Sequence, residues 1–252
     1  MNYDETAKKI LSDWDNYCFK LLDGDTPAFD IQEAIAAALR RAATQRTAPQ
    51  RNATQRNASF IREVFMILAT VELESLAPYS QSRYHDEPKL AKESDSDYEA
   101  RTWRGRMHVD KSGVVYIPGS AFKNCLDDAA KYLSVKVVGK AKDTYTKHFN
   151  AGVMVMENLS LGIKACDVPG EWLFLNSDGK AGSGKRVKRC MPRIDEWSGK
   201  VVFTVFDHTI TKDIFKAHIE QAGSFIGIGR FRPRNRGWYG RFKVNSIEWN
   251  EL

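Results

Sequence analysis

Residues Val114-Val115-Tyr116-Ile117-Pro118-Gly119-Ser120-Ala121-Phe122-Lys123-Asn124-Cys125-Leu126 hold a strand, a turn and the opening of a helix in one continuous stretch. Val114–Ile117 is a β-branched and aromatic run, and Pro118-Gly119-Ser120 is a turn that caps the helix after it. From there Phe122, Cys125, Leu126, Ala129, Ala130 and Leu133 recur at three-and-four spacing, which predicts a helix with one apolar face. Upstream, Phe60, Ile61, Val64 to Leu68 and Val71 form a β-rich run that ends at Ala77-Pro78 and reads as a buried strand. Between the two lies a polar excursion, residues 79–112, expected to be mobile. Downstream, Val153–Leu161, Trp172–Leu175, Val187–Met191 and Val201–Phe206 are strand candidates. They precede a helix over Thr211–Ala222 that Gly223 should end, a Gly/Arg loop from Gly227 to Gly240, and a last strand over Arg241–Trp249. Few helices among many strands, with no strict βα alternation, predict an α+β fold built on an antiparallel sheet.

Two further segments precede this domain, which we place at 60–252. Residues 1–43 read as a small acidic helical appendage, with helices over Asp4–Leu22 and from an Asp30 cap through Leu39. Residues 44–59 carry three pentads, Gln45-Arg46-Thr47-Ala48-Pro49, Gln50-Arg51-Asn52-Ala53-Thr54 and Gln55-Arg56-Asn57-Ala58-Ser59, a polar linker too short for a solenoid. Such a linker either brings Arg46, Arg51 and Arg56 to phosphates or serves as a plain solvated tether. No apolar run approaches the ~18 residues of a membrane span, and no hydrophobic stretch follows Met1–Ile10, so neither a span nor a secretory signal is expected. The four cysteines are scattered without a Cys-x-x-Cys pair, which argues against a zinc ribbon or a disulfide framework and for a reducing, cytoplasmic setting. Neither a cofactor nor a metal is expected.

Charge is distributed unevenly over the 252 residues. The net charge is +6, yet residues 101–252 hold 26 basic and 15 acidic groups, while residues 60–100 hold 4 and 9. An excess of eleven positive charges in the last 152 residues favours a polyanion as partner, nucleic acid first, against the plainer reading of a basic soluble surface.

Gly179-Lys180-Ala181-Gly182-Ser183-Gly184-Lys185 fits half of a phosphate-binding P-loop, but Arg186 stands where the magnesium-binding hydroxyl belongs, and Val187–Pro192 reads as a strand. A hairpin tip carrying Lys180, Lys185, Arg186, Lys188 and Arg189 is the better reading, a finger suited to a phosphate backbone. Gly227, Gly229, Arg230, Phe231, Arg232, Arg234, Arg236, Trp238 and Tyr239 share the second constellation. Its glycines permit close backbone approach, its arginines suit phosphates, and its aromatics offer stacking faces, so single-stranded nucleic acid is the expected ligand. The alternative is a tight turn with a solvated basic rim and its rings packed inward. Arg101, Trp103 and Arg104 form a smaller aromatic-basic patch. His85 and Asp86 are the one pair in the polar excursion suited to acid–base or metal-assisted work on an RNA backbone, although a solvated loop explains them as well.

Tyr116–Leu126 resembles the Ile-Pro-Gly-Ser-Ser-Leu-Lys-Gly segment that opens the first helix in the repeat-associated mysterious protein (RAMP) superfamily, the backbone and processing subunits of CRISPR effector complexes. Ile226–Gly240 looks like the glycine-rich loop of that superfamily, and the two lie in the family's order along residues 60–250. The resemblance implies a ferredoxin-like or RRM-like βαββαβ core, with long insertions including a thumb-like hairpin, that holds single-stranded RNA against its sheet and its glycine-rich loop. It also implies self-association along the strand and CRISPR-like effector subunits as neighbours. Carried over by position, Ser120 and Lys123 would lie near the RNA backbone, and Asp86 would be the nearest counterpart of a cleaving aspartate. Asn124 departs from the family's small residue, and residues 1–43 have no counterpart in it.

From this we expect a bacterial or phage-encoded protein that coats single-stranded RNA or DNA without reading much sequence. An endoribonuclease using Asp86 or His85 and a structural adaptor are the competing classes.

Overall fold

Alternation decides the first strand. In β1 (Ile67–Ser75) the side chains of Ile67, Ala69, Val71 and Leu73 are buried, while Leu68, Thr70 and Glu72 take the other face. The structure is a computed structural model that describes residues 66–140, 142–177 and 184–252, so the readings of residues 1–43, of the pentads and of Lys180 lie outside the described residues. Of the apolar run read as the first strand, residues 60–65 also fall outside them.

After β1 the chain forms α1 (Asp95–Thr102), a 3-10 turn over Trp103–Arg106, β2 (Val114–Ile117), α2 (Gly119–Leu133) and α3 (Thr146–Gly152). It then forms β3 (Val153–Val155), β4 (Leu159–Lys164), β5 (Gly170–Asn176), β6 (Arg186–Pro192), β7 (Ser198–Val205), α4 (Lys212–Gln221) and β8 (Phe242–Glu251). The main sheet has the order β3-β7-β1-β8 with every pairing antiparallel. Its path β1-α2-β3-β7-α4-β8 is the ferredoxin-like βαββαβ arrangement, as expected. β2 with β4 and β5 with β6 form separate two-stranded ladders inserted into that path.

One face of the sheet carries the core. Phe122, Cys125, Leu126, Ala129 and Ala130 of α2 and Phe215 and Ile219 of α4 are buried, with Ala69, Val71, Phe203 and Val205 on the sheet side. The opposite face is another matter. Its cross-strand neighbours include Glu72, Glu74 and Glu248 with Lys200 and Lys243, joined by Lys243–Glu74 at 3.0 Å and Lys200–Glu248 at 3.7 Å. Three carboxylates against two ammonium groups, with no aromatic among these residues, make a poor platform for a polyanion. The implied use of the sheet face is therefore not what this sheet offers.

Several local readings are corrected. Val153–Leu161 is two strands in different ladders, because residues 156–158 turn and Asn158 Oδ1 accepts the Gly119 N–H at 3.0 Å. That bond caps α2, which starts at Gly119 behind Pro118, so Ser120 sits in the first turn rather than at the cap. A Cβ on Gly119 would stand 2.5 Å from the Glu157 carbonyl oxygen, the reason for glycine there. Within the excursion expected to be mobile, Ser94 caps α1, its Oγ accepting the Asp97 N–H at 3.1 Å, and Trp103 and Met107 are buried. Gly223 does not end α4. The helix runs into a π turn, Ala222–Ile226, in which a Cβ at 223 would meet the Phe242 carbonyl oxygen at 2.1 Å. Among the described residues no helix is long and apolar enough to cross a membrane.

Candidate nucleic-acid interface

The Gly/Arg loop begins at Gly227, where φ of +71° turns the chain out of the π turn. It is laced to the segment after β1: Gly240 N–H donates to the Pro78 carbonyl at 2.7 Å and Arg230 N–H to the Ser80 carbonyl at 2.9 Å. Gly229, at φ +70°, allows this seating, because a Cβ there would lie 2.5 Å from the Ser80 carbonyl oxygen.

That seating fixes Arg230. One guanidinium nitrogen, Nη1, donates to Ser82 Oγ at 3.0 Å, while Nε is buried with no partner among the described residues. Burial, then the charges of Arg106 and Arg189, pull its pKa below the usual arginine value, against only Glu99 acting the other way. Glu99 itself is fully buried. Oε1 accepts Arg106 Nη1 at 2.6 Å and the Cys190 N–H at 2.8 Å, and Oε2 accepts Arg106 Nη2 and Arg189 Nη1, both at 3.0 Å. Desolvation raises the Glu99 pKa, but these bonds outweigh it and leave it below the ordinary carboxylate value. Three guanidinium groups thus gather around one carboxylate, and the one with an orphaned buried N–H lies on the glycine-rich loop.

The other arginines of the loop turn toward α2. Arg234 Nη1 lies 2.7 Å and Arg232 Nη2 3.6 Å from the Asp128 carboxylate, and Arg232 Nε is also buried without a partner. Arg236 takes a left-handed conformation at the end of a 3-10 turn over Pro233–Asn235 and is exposed. Trp238 is 54% exposed, its ring set at 86° to that of Tyr239 with centroids 4.8 Å apart, and Phe231 is half-buried. Tyr239 corrects the sequence reading. It is buried, its hydroxyl donates to Glu171 Oε2 at 2.6 Å, and burial followed by that bond pushes its pKa up to about 12. Its ring is therefore no stacking face. It joins the loop to β5.

The thumb-like hairpin is β5 and β6, paired from Gly170↔Pro192 to Asn176↔Arg186. β6 being a strand, no helix N-terminus follows Lys185, so the half-motif lacks the helix that a P-loop needs. Arg186, Lys188 and Lys185 are exposed, whereas Arg189 points inward to Glu99. The face of Lys188 also carries Trp172 and Phe174, which sequence reasoning treats only as strand residues. Trp172 is 41% and Phe174 71% exposed, and the Lys188 ammonium lies 4.6 Å from the Trp172 ring centroid. Their i, i+2 spacing was the available signal.

The remaining candidates are dispersed. Ser120 is exposed in the first turn of α2. Lys123 is engaged by Asp127 and by the carbonyls of Phe149 and Asn150, at 3.2 Å each, which occupies its ammonium. Arg101 is bound by Glu93, whose pKa its hydrogen bonds lower to about 2. Trp103 is buried against Gly170 and so offers no face, and the Arg104 guanidinium covers its ring at 4.2 Å. The His85 ring packs over Gly105 with Nδ1 buried and unpartnered, while Asp86 is exposed, 3.4 Å from the Tyr84 hydroxyl. Among the described residues no group of three His, Cys, Asp or Glu could hold a metal ion.

No family model matches the chain, and no curated protein does. Solved structures do. The chain is similar to one in a type III-B Cmr-beta assembly bound to cognate target RNA, at 13% identity and a TM-score of 0.44, covering 89% of this chain and 77% of that one. It is similar to Cmr6 from Pyrococcus furiosus at 14% identity and a TM-score of 0.40, covering 71% and 98%. A third match is to a CRISPR RNA-guided surveillance complex, at 10% identity, a TM-score of 0.25 and coverage of 63% and 58%.

Proposed function

We propose that this chain binds single-stranded nucleic acid, RNA before DNA, across the Gly227–Gly240 loop and onto the Trp172, Phe174, Lys188 face of the hairpin. The observation that carries the reading is Arg230. A half-buried guanidinium whose Nε is buried and, among the described residues, without an acceptor, beside Arg106 and Arg189 and one carboxylate, is a group whose charge a backbone phosphate would answer. Exposed Arg186, Arg236 and Lys188 extend the positive track, and Trp172, Phe174 and Trp238 supply ring faces that every base can use, which suits coating rather than sequence reading.

The resemblance of the Ile117-Pro118-Gly119-Ser120 segment favours RNA, and with it a place as a repeated or single subunit of a CRISPR-type effector complex. The test is fluorescence anisotropy of the full chain with short labelled RNA and DNA strands over a salt series, beside nuclease digestion of whatever strand co-purifies. Binding that weakens steeply with salt supports the reading, at a slope of about −0.7 per phosphate contact. Absence of binding to either strand at low salt overturns it.

A further inference from the structure

On the α2 side of the Gly/Arg loop two aromatic rings stand in the open. α2 stops at Leu133, where Ser134 turns left-handed at φ 48°, and this leaves Tyr132 in the last helical turn with 64% of its surface exposed. The π turn Ala222–Ile226 presents Phe225, 51% exposed, beside it. The ring centroids are 6.0 Å apart with planes 29° from parallel, and the rings line a cleft of about 410 Å³ completed by Lys131, Ile226, Pro233 and Arg234. That volume falls within the roughly 300–1,000 Å³ of small-ligand sites.

The rim of this cleft is positive. Lys131 and Arg234 line it, and the Asp128 carboxylate, which also lies 3.6 Å from Arg232 Nη2, fixes the Arg234 guanidinium at 2.7 Å. An apolar side chain from a protein partner would cover the rings but leave the rim cations Lys131 and Arg234 unanswered. A nucleotide answers both, with a flat π face for the rings and an anionic phosphate for the rim.

We propose that the Tyr132–Phe225 cleft is a stacking site for one nucleobase of a bound single strand. This rests on the reading of the chain as a single-strand binder and adds a contact to bases on the flank of the loop away from Arg230. Arg234, already held by Asp128, contributes a planar cation at the mouth of the cleft.

The test compares the wild-type full chain with the double variant Tyr132→Ala, Phe225→Ala on two probes, a short oligouridylate and an abasic sugar-phosphate oligomer of the same length. Loss of one stacked base should weaken oligouridylate binding by roughly 5- to 100-fold while leaving the abasic oligomer unchanged. The pair Tyr132→Phe, Phe225→Tyr should keep full affinity, since only ring faces are used. Unaltered oligouridylate binding by the alanine variant, or equal weakening on both probes, overturns the base site and leaves the single-strand reading standing. A change in oligomeric state by sedimentation, with strand affinity unaltered, overturns it in favour of a contact between protein chains. Failure of the wild-type chain to bind either probe overturns both readings.

Discussion

Replacing Glu99 with glutamine tests the hub that joins the excursion after β1 to the hairpin. The wild-type carboxylate accepts four hydrogen bonds on its two oxygens, from Arg106 twice, from Arg189 and from the Cys190 backbone, and is fully buried. A glutamine keeps one oxygen and turns an amide N–H₂ toward groups that are themselves donors, so about two of the four bonds are lost. Hydrogen bonds to charged partners contribute about 1.5–3 kcal/mol each, and breaking a buried ion pair from one side costs about 3–5 kcal/mol. Both routes place the destabilisation of Glu99→Gln near 3–5 kcal/mol. For a domain of this size that is a fall in Tm of about 6–20 °C. Urea unfolding at pH 7 measures it, with an unchanged slope expected.

The pH dependence gives a second check on the same hub. The native pKa of Glu99 is lowered, so its contribution is fully present above the ordinary carboxylate range and is lost as pH falls through the depressed native value. The gap between wild type and variant should therefore be constant from pH 7 to about 5 and close below about pH 4. A loss under about 1 kcal/mol at pH 7, or a gap that does not narrow in acid, refutes the assignment of Glu99 as an ionised hub.

Arg230→Ala should weaken strand binding by about 1 kcal/mol at moderate salt and reduce the salt slope by about 0.7 without lowering Tm, since it removes a half-buried cation that no carboxylate holds among the described residues; a salt titration by anisotropy decides. Trp172→Ala with Phe174→Ala should cost about 1–3 kcal/mol of affinity per base stacked and leave the salt slope unchanged, read in the same assay. Gly229→Ala should destabilise the fold by about 1–3 kcal/mol in urea unfolding and depress binding together with it, since φ is +70° and the new Cβ meets the Ser80 carbonyl oxygen at 2.5 Å.

Sequence pattern reveals what repeats along one element, and those parts of the fold were legible. The β-rich run through Leu68 and Val71, the helical spacing of Phe122 to Ala130 and the helix that starts behind Thr211, whose Oγ accepts the Ile214 N–H, all carry over into the structure. Pairings between distant segments left no local mark. Nothing in Arg232-Pro233-Arg234 announces Asp128, and nothing near Arg106 announces that Glu99 also serves Arg189 and Cys190. Aromatics beside arginines read alike whether they face in or out. Trp103 and Tyr239 face in, each closing a seam against β5, while Trp172 and Phe174 face out from positions read only as a strand. Gly223 is glycine for the approach of Phe242, not for a helix end, a distinction that depends on a neighbour nineteen residues away.

The carboxylates within the basic region clarify why so many arginines can stand together. Glu99 serves Arg106 and Arg189, Asp128 serves Arg232 and Arg234, and Glu171 holds Arg193 at 3.2 Å along with the Tyr239 hydroxyl. Each carboxylate fixes the orientation of its guanidinium groups while neutralising only part of their charge. A guanidinium has five N–H donors, and one carboxylate uses at most a pair of them on each arginine, so the free edges are aimed before any phosphate arrives. Ordering these side chains in advance removes an entropic cost that binding would otherwise carry, of about 0.5–1.5 kcal/mol for each long side chain immobilised. Arg230 has no such carboxylate and is held instead by Ser82 and by burial, which leaves it the group with most to gain from an incoming anion. A phosphate at that point would restore the balance of charge around Glu99 without displacing any of its four hydrogen bonds.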